Sequence, residues 1–118
     1  MNHSNLVRQL KKSDHDILSS LEPGACDLLH MTFALAGEVG ELIDPIKKSI
    51  FYELPLDRSN VIEELGDIEF YLEGLRQRLR ISREETIEAN IIKLTKRYPS
   101  QSYTNTDAVE RKDKPHHD

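Results

Sequence analysis

Leu28, Met31, Leu35, Val39, Leu42, Ile46 and Ile50 recur at three- and four-residue steps, the spacing of one helical face. This stripe predicts a long helix over 25–52. Pro45 lies within it and removes the backbone donor that would serve the Glu41 carbonyl, so a kink is expected there. Val61, Leu65, Ile68, Leu72, Leu75 and Leu79 predict a second helix over 60–80. ELPLDRSN at 53–60 is the loop before it, with Asp57, Ser59 and Asn60 as candidate N-caps. Ile87, Ile91, Leu94 and Tyr98 carry a third seam as far as Pro99, and Ser82 with Glu85 has capping-box spacing at its start. Leu6, Leu10, Ile17 and Leu21 predict one shorter helix over 5–21, closed by the break Glu22-Pro23-Gly24. No strand alternation and no repeat is present. The expected fold is all-α, a helical bundle of three to four main antiparallel helices. Residues 1–99 read as a single domain with its core in 25–99. Residues 100–118 read as a polar extension, unstructured or folded over a neighbouring surface, in which His116 and His117 are given no specific role.

Composition changes this picture in one respect. With 37% hydrophobic residues, 6% aromatics and no Trp in 118 residues, the core is lean for a monomer, and at this length about a third of the unfolded surface stays exposed in any case. The bundle is therefore expected to be completed across subunits. The formal charge of −5 lacks the basic footprint of a nucleic-acid binder. Cys26 stands alone and can form no internal disulfide. No apolar run approaches the roughly 18 residues of a membrane span, and MNHSNLVRQLKK has no signal-like apolar stretch. The expected location is the cytoplasm.

Chemistry enters along the edges of the seams. At about 100° per residue, Glu38 lies at the margin of the first stripe and Glu41 about 60° further round. Glu64 and Asp67 flank the second seam on the same rotational side, and Asn60 and Tyr71 extend their row. Asn90, Lys93 and Arg97 flank the third. Four converging carboxylates would oppose one another's ionisation. A hard divalent cation resolves that conflict, and Mg²⁺ accepts oxygen ligands while leaving positions for water and phosphate. Lys93 and Arg97, four residues apart, can meet a polyphosphate. Each feature has a plainer reading: a lone Glu-x-x-Glu is usually solvated surface, and basic residues favour a helix C-terminus anyway. The coincidence of two acidic pairs with the same spacing on consecutive seams favours a site. His30, two turns before Glu38, is a candidate for lining a base pocket, with packing as its alternative. Phe33, Phe70 and Tyr71 could stack on a base, although core packing is the simpler role for most of them.

G-E-V-G-E-L at 37–42, E-L-G-D at 64–67 and N-I-I-K-L-T-K-R-Y-P at 90–99 together resemble the MazG-like nucleoside triphosphate pyrophosphohydrolases of the all-α NTP-pyrophosphatase superfamily. Tyr103, Ala108 and Arg111 resemble the family's C-terminal extension, so the resemblance spans roughly 25–111. It implies Glu38, Glu41, Glu64 and Asp67 as magnesium ligands, with Mn²⁺ as a substitute. It implies Asn90, Lys93 and Arg97 as nucleotide or phosphate contacts, and hydrolysis of a (d)NTP to (d)NMP and pyrophosphate in nucleotide-pool house-cleaning. It also implies a homo-oligomer, a tetramer built as a dimer of dimers. The family pattern E-E-x-x-E has Gly37 at its first acid here, so a residue that some relatives use to activate water is missing. Glu38, Glu41 or water activated by the metal would take that part. The alternatives are a phosphoribosyl-ATP pyrophosphohydrolase-like enzyme and a non-catalytic nucleotide-binding helical module. A di-iron carboxylate bundle is disfavoured because neither acidic pair is a Glu-x-x-His.

Overall fold

The computed structural model describes residues 2–115; His116 and His117 lie outside them. Among the described residues there are six helices and no strand: α1 (His3–Leu10), α2 (Asp14–Ser20), α3 (Pro23–Phe51), α4 (Arg58–Leu79), α5 (Arg83–Arg97) and α6 (Asn105–Glu110). They fall into two compact units, the first ending at Arg78 and the second beginning at Leu79.

In the first unit, the single helix expected over 5–21 is two. Asn2 caps α1 by accepting from the Asn5 amide, and Ser13 caps α2 by accepting from the Asp16 amide. A side chain that satisfies a fresh helix start at Ser13 competes with continuing the first helix through it. α3 begins at Pro23, because a first-turn proline has no amide to leave unpaired. The tripeptide that reads as a break is thus a helix entrance. α3 runs on through Pro45 to Phe51, and α4 starts where the Asp57 carboxylate accepts from the Asn60 amide at 3.1 Å.

α3 and α4 are antiparallel. Asp27 approaches Arg78, Met31 lies against Gly74, and Glu41 approaches Glu64, so numbers rise on one helix as they fall on the other. Gly74 permits this approach: a Cβ there would meet the Met31 sulfur at 2.7 Å.

The seams are only half covered. Leu28, Met31, Leu35, Leu42, Val61, Ile68, Leu72 and Leu75 are half-buried. Among the described residues no large apolar side chain is buried, and the two that are buried are Pro45 and Glu64. Phe33 and Phe70, assigned more readily to core packing, are 70% and 65% exposed. They sit off the half-buried stripe, and Phe70 makes an edge-on contact with Tyr71 at 5.1 Å between ring centres. His30 is also exposed.

In the second unit, α5 starts with the capping box the spacing predicts. The Ser82 hydroxyl accepts from the Glu85 amide at 3.0 Å, and the Glu85 carboxylate accepts from the Ser82 amide at 2.6 Å. The extension is ordered in part. Thr104 caps α6, which ends at Arg111 in the left-handed region (φ 49°). Tyr98 and Tyr103 lie 5.7 Å apart, ring centre to ring centre. Among the described residues no helix is long and apolar enough to cross a membrane.

Candidate metal centre

Glu38 and Glu41 are one turn apart on α3, and three-residue spacing carries both carboxylates to one side of the helix. The antiparallel pairing brings Glu64 of α4 opposite them. One oxygen from each of the three carboxylates lies within 4.8 Å of the others. Asp67 lies outside this group of three, one turn along α4 and half-buried, yet its charge reaches Glu64. Cβ atoms added at Gly37, Gly40 or Gly66 would meet nothing within 4 Å, so the backbone beside the carboxylates is bare.

The cluster is electrostatically unfinished. Glu64 is 8% exposed, and one oxygen each of Glu38 and Glu64 is buried without a hydrogen-bond partner. Burial pushes the Glu64 carboxyl up to about 7. The adjoining Glu38 carboxyl and the charges of Glu41, Glu38 and Asp67 add to the rise. A buried acceptor with no donor is costly, and a cation supplies what both orphaned oxygens lack. The donor set is oxygen throughout, which suits a hard divalent ion such as Mg²⁺ or Mn²⁺ better than a thiophilic one. On this evidence the residues fit such an ion.

The remaining candidates are distributed differently. Asn90 and Lys93 are exposed on α5. Arg97, one turn beyond Lys93, is already engaged: its Nε donates to Asp113 Oδ1 at 2.7 Å and its Nη2 donates to Oδ2 at 3.0 Å. The Asp113 side chain is 1% exposed and that of Arg97 17%. The Arg97 guanidinium holds the Asp113 carboxyl down at about 2. Sequence reasoning had no access to Asp113. A partner sixteen residues away in a polar extension obeys no helical spacing, and the only local signal was Thr104 with Asp107, which reads as a helix start.

An all-helical chain with a carboxylate centre suited to a hard cation is the class so defined. The model of the MazG nucleotide pyrophosphohydrolase domain matches residues 27–102, and the chain belongs to that family. The match takes in the three clustered glutamates, Asp67, and the whole of α5. No curated protein and no solved structure matches the chain.

Proposed function

We propose that this protein is a Mg²⁺-dependent nucleoside triphosphate pyrophosphohydrolase that converts (d)NTP and water to (d)NMP and pyrophosphate, serving nucleotide-pool house-cleaning. The observation that carries the reading is the three-glutamate cluster with its two orphaned buried oxygens, set within a family that acts on nucleotides. Glu38, Glu41, Glu64 and Asp67 would hold the ion, with Mn²⁺ as a substitute. Bound there, it would neutralise phosphate charge and lower the pKa of nearby water.

The protein's own groups then divide the work. Glu38 or Glu41 accepts the proton of the water that attacks the α-phosphorus. The bond from the α-phosphorus to the bridging oxygen breaks, and its electron pair leaves with pyrophosphate. Lys93 and Arg97 stabilise that charge, while Asn90 and His30 contact the nucleotide. In this reading residues 1–99 form the working domain and 100–118 its extension. The half-covered seams support a bundle completed across subunits; the proposed assembly is a homotetramer built as a dimer of dimers, and the proposed location is the cytoplasm. A single chain exposing this much seam would otherwise leave a broad apolar surface in water.

The test is a panel of NTPs and dNTPs, with phosphoribosyl-ATP alongside, assayed separately for pyrophosphate and monophosphate. Equal release of both, abolished by EDTA and restored by Mg²⁺, is the expected result. Orthophosphate with diphosphate as products, or activity indifferent to EDTA, overturns it. Faster turnover of phosphoribosyl-ATP moves the substrate assignment to that compound. Gly37 supports one second reading, a non-catalytic nucleotide-binding module. Tight nucleotide binding without turnover at any divalent metal is its signature.

A further inference from the structure

Arg97 is proposed above as a phosphate contact, yet the Nε–Nη2 edge of its fork is taken by a carboxylate from its own chain. Carboxylate and phosphate present the same pair of oxygens to a guanidinium. Asp113 takes the Nε–Nη2 edge with both of its oxygens. We infer that Asp113 is an internal competitor for Arg97, so that a polyphosphate ligand must displace the tail hook formed by residues 104–115 before Arg97 can grip it. This rests on the reading of Arg97 as a phosphate contact.

The hook is built to return Asp113 to α5. The Thr104 hydroxyl accepts from the Asp107 amide and starts α6. Arg111 ends it in a left-handed conformation, which costs a non-glycine residue energy and reverses the chain. The Lys114 amide then bonds the Arg111 carbonyl at 2.9 Å. Lys112 stands near Asp107 at 3.8 Å and Glu110 at 3.5 Å, which fastens the returning segment to α6.

The same hook is lightly held. α6 has six residues, far below the length at which a helix stands alone. Its Val109 is exposed, so little apolar burial anchors it. Tyr98 on α5 lies near Arg97, and the Arg111 guanidinium on the hook lies near Asp113. Asp113 stays ionised at any working pH because Arg97 holds its carboxyl at about 2. A polyphosphate and an ionised Asp113 repel each other, and the Nε–Nη2 edge of Arg97 can serve only one of them at a time. When the pair opens, the main tie between the hook and α5 is lost with it.

The test uses the full chain with inorganic tripolyphosphate as the probe. Hydrogen exchange of the 105–110 amides is followed with and without it, and affinity is measured by calorimetry for the unaltered chain and for Asp113→Asn. Faster exchange in α6 on adding tripolyphosphate to the unaltered chain is expected. Asp113→Asn should bind it about ten-fold tighter, the low end for losing a competing charge-assisted hydrogen bond, and should show fast α6 exchange without ligand. Unchanged or slower α6 exchange overturns the inference. So does equal or weaker binding by Asp113→Asn, which would make Asp113 a positioning residue for Arg97, and so does absence of tripolyphosphate binding. The measurement on the unaltered chain stands even if the variant folds poorly. An active pyrophosphohydrolase whose α6 ignores tripolyphosphate removes the competitor and keeps the enzyme. An inactive chain whose α6 opens keeps the competitor and removes the enzyme.

Discussion

The two units bury charge in opposite ways. In the first, three carboxylates face one another, two of their oxygens lack partners, and Glu64 is pushed up to about 7. In the second, one carboxylate meets one guanidinium through two hydrogen bonds, and Asp113 is pulled down to about 2. The first arrangement is unfinished and gains from an added cation. The second is complete as it stands, and an added anion can only compete with it. The two carboxyls are thus displaced in opposite directions, Glu64 by burial among like charges and Asp113 by its guanidinium partner.

The sharpest way to break this contrast is to finish the first site artificially. Glu41→Gln or Asp67→Asn should lower kcat/KM with Mg²⁺ by about 100-fold or more, since even residues that merely orient metal ligands are worth 10–100-fold. Near-normal activity in either variant would strike it from the ligand set. Glu64→Gln should cost as much activity, yet raise the melting temperature of the metal-free chain above about pH 7, where the carboxylate it replaces is charged.

The second site should respond in the reverse sense. Arg97→Gln removes the cation that holds Asp113, so the hook should open, with fast exchange of the 105–110 amides and a lower melting temperature. Lys93→Gln, on the same helix but exposed, should leave it nearly unchanged. Equal effects of the two substitutions would show that the pair contributes no more than a surface charge.

The pH dependences of the two sites have opposite signs. Glu64 rises from the ordinary 4.5 to about 7 in the folded chain. The folded state therefore binds the proton more tightly, and metal-free stability should decline as pH rises from about 4.5 to 7. Added Mg²⁺ should raise the melting temperature more at pH 8 than at pH 5. Asp113 falls from 3.8 to about 2. Its contribution is present above 3.8 and is lost as pH falls through that value towards 2. Melting curves of the unaltered chain and of Glu64→Gln across pH 2–8 separate the two windows, because only the upper one should flatten in the variant.

The smallest expected effect concerns Gly37. A Cβ there meets nothing, so Gly37→Ala should stabilise α3 by about 0.5–1 kcal/mol. Gly37→Glu should fold equally well. A higher kcat in Gly37→Glu would show that the missing acid limits water activation, and an unchanged one that Glu38 or Glu41 suffices.

Legibility in the sequence followed the range of the interaction. The capping box of α5 involves residues three apart and was readable to the atom. The approach of three carboxylates was readable because helical spacing fixed Glu38 with Glu41, and short connections implied antiparallel neighbours that bring Glu64 across; Asp67, expected with them, lies outside the group. The division between α1 and α2 was not readable, because Leu6, Leu10 and Ile17 continue one apolar rhythm through Ser13, and the competing cap leaves that rhythm intact. The exposure of Phe33 and Phe70 in the single chain has a related reason: aromatic character favours a core, but position on the helix decides exposure. Asp113 was invisible, since its partner lies across a turn whose left-handed Arg111 no propensity rule would place there.

If the half-covered seams are completed by other copies, as proposed, the fold becomes a matter of mass action. On the proposed assembly, part of the free energy that holds α3 and α4 together comes from other copies, so stability depends on how many copies are present. Serial dilution should lower the melting temperature progressively, and the centre built on Glu38, Glu41 and Glu64 should lose its grip on Mg²⁺ over the same range. A dilution-independent melting temperature would mean that one chain, with no large apolar side chain buried among its described residues, is sufficient unto itself. In a cell, the same coupling would let the amount of this protein set the working fraction of its molecules as well as their number.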